Sequence, residues 1–243
     1  MAYQLFLPPY LQALGYGEYP EMHDLASRAV KEWPDHIEFA SAWHPWRGFL
    51  DYMACVEHAR AEIHKLPSGR AIGSGSVVPA QYHSASMVFF AQATFDNLAE
   101  WLKVEFKLAN VKHGDIAFHK DRFRGAIEKK DPVLAELINE NLPFIKSLER
   151  YRHQWIHRMS GGAMIFSDVP PGQSGEKISI QVPIDPTIDP SRGGDAYLSS
   201  IEECRQANGG LWLYSVDEFA DRYANGCRDF ILKVLHRCLT VLP

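Results

Sequence analysis

The sequence predicts a mainly α-helical fold, an up-and-down bundle with a β-hairpin inserted near residues 163–184. Three observations predict it. Val88, Ala91, Phe95, Leu98, Leu102 and Phe106 step by three and four, the repeat of one buried helix face. Phe219, Tyr223, Cys227, Phe230, Val234 and Cys238 do the same near the end of the chain. The single run with period two is Ile178, Ile180, Val182 and Ile184, alternating with Ser179, Gln181 and Pro183. Long helices with short connections argue for neighbours that run up and down.

Taken in order, residues 1–20 are extended or irregular, because Pro8, Pro9, Gly15, Gly17 and Pro20 exclude a long helix. A short helix is predicted from Glu21 to Trp33, stopped by Pro34. Pro45 can open the next helix, which runs to about Leu66 on Phe49, Met53, Val56 and Ile63. A Gly- and Ser-rich link from Pro67 to Pro79 leads to the longest helix, Ala80 to about Ala109. Shorter helices follow over 119–129 and 132–140, then one from about Asn141 to Ser160 that ends at Gly161-Gly162. The hairpin pairs 163–169 with 178–184 across Pro170-Pro171-Gly172-Gln173-Ser174-Gly175. Residues 185–195 read as loop and 196–208 as a helical piece. A capping box, Ser215-Val216-Asp217-Glu218, starts the last helix. The expected organisation is one domain, 1–243: an N-terminal extension over 1–45, the bundle over 46–160 and 196–238, and the hairpin between them.

Composition narrows the function. Hydrophobic content of 46% supports a sizeable core. A net charge of -5 gives no global field for nucleic acid, so phosphate binding needs a local patch. Cys55, Cys204, Cys227 and Cys238 are widely spaced with no CxxC pair, which argues for reduced thiols in a cytoplasmic protein. The first ten residues lack the basic start of a signal peptide, and no apolar run approaches the ~20 residues of a membrane span. No dinucleotide, Walker or Gly-x-Ser-x-Gly pattern occurs.

The local patch lies in the helix over 141–160. Ile145, Leu148, Trp155 and Met159 mark its apolar stripe, and Arg152 falls on the same stripe, four after Leu148 and three before Trp155. His157 is five residues on, about 140° further round. Lys146, Arg150, His153 and Arg158 surround them, opposed only by Glu149. Histidine exchanges protons near neutral pH, and arginine is a permanent forked cation that matches phosphate oxygens. The pair suits phosphodiester chemistry on RNA, with His157 taking a ribose 2'-hydroxyl proton and Arg152 stabilising charge on phosphorus. The scheme needs neither metal nor cofactor. One helix supplies one such histidine, whereas a twofold homodimer with two facing helices supplies both a base and an acid.

Arg152-His153-x-x-x-His157 resembles the Arg-x4–6-His motif of the HEPN domains (higher eukaryotes and prokaryotes nucleotide-binding), where a polar residue often follows the arginine. The resemblance covers the motif helix and the helical context over 46–238. It implies a HEPN-like bundle and a metal-independent endoribonuclease that acts as a dimer with the motif at its interface. Family members include toxins and antiviral defence effectors, and others are inactive structural or binding modules; an inhibitory partner protein is a further expectation for this chain. By the resemblance Arg152 and His157 match the motif pair and His153 the polar position. Arg150, Arg158 and Lys146 become RNA contacts. Histidine at 153 departs from the commoner asparagine or aspartate, and the hairpin and residues 1–45 exceed a minimal domain.

Two other readings use the same residues. Arg152 can be a buried arginine paired with Glu100 or Asp96 on another helix. Glu149, His153 and His157, each four apart, can form a metal-binding stripe.

Overall fold

A computed structural model describes residues 36–67, 74–157, 163–167, 178–188 and 193–241. The helix expected over 21–33 and the hairpin turn at 170–175 lie outside the described residues. Helix α1 (His36–Ile63) is followed by α2 (Ser74–Glu105), α3 (Asp121–Glu128), α4 (Pro132–Glu140) and α5 (Leu142–His157). Strands β1 (Met164–Ser167) and β2 (Ile178–Pro183) come next, then helix α6 (Gly194–Ala207), strand β3 (Leu213–Ser215) and helix α7 (Val216–Val241). The chain is therefore mainly helical with a small antiparallel sheet. No helix among the described residues is long and apolar enough to cross a membrane.

Two helices start earlier than their prolines predict. Pro45 lies inside α1 and Pro79 inside α2. A proline inside a helix removes one backbone hydrogen bond and crowds the preceding turn. In helices of 28 and 32 residues, that local loss is set against many intact turns.

The chain divides into two compact units. One comprises Met1–Glu57, Ala93–Ile145 and Gly226–Pro243, and the other His58–Gln92 and Lys146–Asn225. In the first, Phe95, Phe118 and Phe230 form an edge-to-face cluster, with centroids of 5.0 Å for Phe95–Phe230 and 5.1 Å for Phe118–Phe230. Each such pair adds about 0.5–1.5 kcal/mol beyond its buried area. Gly226 lets the Phe144 ring approach the α7 backbone, since a Cβ there would sit 2.6 Å from the ring. Asp131 caps α4, accepting from the Val133 and Leu134 N–H groups at 3.1 and 3.2 Å. The same carboxylate takes both forks of Arg237, Nε and Nη2, at 2.8 Å each.

The second unit holds the sheet. β2 is central, paired antiparallel with β1 in the register Ile165 to Ile180, and with β3 in the register Val182 to Tyr214. The expected antiparallel pairing of β1 with β2 is present, and β3 is a third strand beyond it that the periodicity does not predict. β3 is three residues long and carries no alternation that would mark it. Its last residue, Ser215, is also the cap of α7. The Ser215 N–H donates to Glu218 Oε2 at 2.9 Å and the Glu218 N–H donates to Ser215 Oγ at 3.2 Å, the predicted capping box. Ile188, Ile201 and Cys204 form a satellite core with Ile184, Tyr197 and Trp212.

Candidate functional site

Helix α5 buries Ile145, Leu148, Tyr151, Gln154 and Trp155. Arg152 is exposed, so the sequence expectation of an inward arginine is corrected. The reason is helix geometry. Steps of three residues fall about 60° short of a full turn, so the stripe from Ile145 through Leu148 and Tyr151 to Gln154 walks round the helix. At its far end Arg152 stands roughly 100° from the centre of Tyr151, Gln154 and Trp155. Tyr151 is three after Leu148 and four before Trp155, the mirror image of the spacing of Arg152. Spacing alone could not choose between them. Desolvation chooses, because burying an aromatic ring gains free energy and burying a guanidinium costs it.

Tyr151 anchors the helix in its unit. Its ring meets those of Trp155, Phe219 and Tyr223 with centroids at 5.4, 5.2 and 5.3 Å. Its hydroxyl is directed at the Ile184 carbonyl at 2.7 Å and at the Pro183 carbonyl, which ties α5 to the end of β2. Burial pushes its phenol well above the usual tyrosine value. One turn earlier, Ser147 Oγ and the Tyr223 hydroxyl are 2.7 Å apart. These contacts hold the apolar side of α5 and leave the opposite side to solvent.

On that open side Lys146, Arg150 and His153 are exposed and Glu149 is half-buried. Arg152 is exposed on its flank. The backbone of α5 is described to its last residue, His157, whereas the His157 side chain and the whole of Arg158 lie outside the described residues. Of the two carboxylates expected as partners of Arg152, Glu100 and Asp96, Glu100 meets His113 Nδ1 at 3.0 Å. Among the described residues no group of three or more His, Cys, Asp and Glu is arranged to hold a metal ion.

Next to this face is a recess of about 290 Å³ lined by Glu149, Arg150, His153, Gln154 and Thr187. Sequence reasoning named Arg150 and His153 as site residues and missed Gln154 and Thr187. Gln154 is four after Arg150, a helix spacing that was available. Thr187 comes from the loop after β2, a distant segment with no local signal. It is fixed there by Asp185, whose Oδ1 accepts from the Thr187 N–H and Oγ1, each at 2.8 Å. Before that turn, the Ile184 N–H donates to the Trp212 carbonyl at 2.9 Å.

The four cysteines are free thiols. Cys227 and Cys238 are buried, and desolvation pushes both thiols up, which suits core filling rather than nucleophilic chemistry. No family model, no curated protein and no solved structure matches the chain.

Proposed function

We propose that the chain is a metal-independent endoribonuclease of HEPN type, working as a cytoplasmic homodimer and acting as a toxin or antiviral defence effector restrained by a partner protein. The observation that carries this reading is the exposure of Arg152 and His153 on α5, beside Arg150 and Lys146. A structural arginine is held against a carboxylate, as Arg237 is against Asp131. A cation held outward on a rigid helix is available to a phosphate.

The chemistry follows from the residue types. His157 takes the proton of a ribose 2'-hydroxyl, and the 2'-oxygen attacks the adjacent phosphorus. The bond from phosphorus to the 5'-oxygen breaks, and that oxygen receives a proton from the imidazolium of the same histidine in a second copy. The products are a 2',3'-cyclic phosphate and a 5'-hydroxyl end. Arg152 neutralises charge on the phosphoryl oxygens, and His153, Arg150 and Lys146 hold the strand, joined by Arg158.

His157→Ala tests the reading. Loss of general acid–base catalysis lowers the rate by about 10²–10⁴-fold. Chelator leaves the wild-type rate unchanged, and DNA resists cleavage because it lacks the 2'-hydroxyl. Cleavage by His157→Ala at the wild-type rate would overturn the mechanism. Wild-type protein that binds RNA without cutting it would leave a catalytically silent HEPN-like binding module.

A further inference from the structure

We propose that the recess of Glu149, Arg150, His153, Gln154 and Thr187 is a nucleobase subsite, in which the Gln154 amide accepts a hydrogen bond from an N–H of one unstacked base. The ribonuclease reading supplies only the identity of the ligand as a nucleotide; the site itself rests on its own geometry.

Gln154 carries the argument. Its side chain is 6 % exposed, it lines the recess, and its Oε1 has no hydrogen-bond partner. Buried acceptors are nearly always satisfied, because leaving one without a donor forfeits its hydration for nothing. Leu148, Tyr151 and Trp155 show what the surrounding stripe accepts. An apolar side chain at 154 would extend that stripe without an orphan atom. The amide therefore stands where packing does not ask for it, and a ligand N–H is the group that would complete it.

The rest of the recess fits a nucleotide. Arg150 supplies a fork for a phosphate, and the His153 ring supplies an aromatic face and a hydrogen-bonding edge. Thr187 forms the facing wall and is held by the two hydrogen bonds to Asp185. Tyr151 fixes the start of that loop through the Ile184 carbonyl. The recess is thus built before any ligand arrives, at the small end of the range for ligand pockets. A base can reach it only when unstacked, so the substrate is single-stranded or loop RNA.

The test titrates the full chain with the four ribonucleoside monophosphates and with ribose phosphate, by calorimetry. The expected result is that at least one nucleotide binds roughly tenfold or more tightly than ribose phosphate. Gln154→Leu then removes that difference while thermal stability holds or rises, because the orphan acceptor is gone. Thr187→Leu, on an exposed wall position, gives the same loss independently of how Gln154→Leu folds. Ribose phosphate binding as well as every nucleotide, or both variants keeping the wild-type preference, overturns the subsite. Binding is read without cleavage, so an inactive wild type that still discriminates bases sinks the ribonuclease reading and keeps this one. In active protein, Gln154→Leu flattens the base frequencies at the cut ends.

Discussion

Replacing Arg152 by alanine tests charge without testing packing, because the side chain is exposed. The expected outcome is loss of RNA cleavage with stability changed by no more than about 0.5 kcal/mol, the usual range for surface substitutions. Urea unfolding of the variant checks the second half, and a large loss of stability would return Arg152 to a structural role. Tyr151 predicts the opposite. Tyr151→Phe keeps the ring among Trp155, Phe219 and Tyr223 but removes the hydroxyl that serves the Ile184 and Pro183 carbonyls. A loss of about 1–3 kcal/mol is expected, because the buried Pro183 carbonyl and the half-buried Ile184 carbonyl both lose this donor. The same variant should weaken nucleotide binding in the recess, since Thr187 follows the freed loop.

Asp131 shows at the scale of elements how one residue sets both a helix start and a tertiary link. The Arg237 guanidinium, together with the N–H groups at the head of α4, holds its carboxyl below the usual carboxylate range. A depressed native value means that the stabilisation is present above the unfolded value near 3.9, and is lost as pH falls through the native value. Asp131→Asn should therefore flatten the acid limb of stability against pH, measured by urea titration at pH 3 to 7. Asp131→Ala also loses the cap, about 0.5–2 kcal/mol at neutral pH. An acid limb unchanged in Asp131→Asn would show that the ion pair does not form in solution. The Asp131 cap comes from the structure, whereas the box at Ser215-Glu218 belongs to the part of the fold legible in the sequence, because it is a local arrangement of neighbours. So are the two long helices and the β1–β2 pairing, whose periodicities repeat often enough to decide. β3 was not legible, since its three residues are ordered by pairing with β2 and not by a pattern of their own. The site divides the same way. Lys146, Arg150 and His153 are read from the sequence as a local positive patch, and the structure adds that they are exposed. Choosing Tyr151 over Arg152 for the core needed desolvation as well as spacing. Thr187 needed the fold.

At the scale of the whole molecule, the net charge of -5 opposes a polyanion, so RNA affinity has to come from the face of α5. Among the described residues, Lys146, Arg150 and Arg152 are its exposed permanent cations, and the expected salt slopes count these three. Each neutralised phosphate contributes about -0.7 to the slope of log affinity against log salt for a single strand. One such face therefore gives a slope of about -2, and two faces of a twofold dimer closing on one strand give about -4. The measurement is fluorescence anisotropy with a 2'-O-methyl strand, which cannot be cut. It is run between 50 and 200 mM salt, beside light scattering at tens of micromolar protein. A dimer with the steeper slope is the expected outcome. Lys146→Ala should make that slope shallower by about 1.4, since each copy then neutralises one phosphate fewer. A monomer with a slope near -2 would leave one histidine to serve one phosphate, and the two-histidine cleavage scheme would fail. A slope near zero would remove the cationic face as the RNA-binding surface altogether.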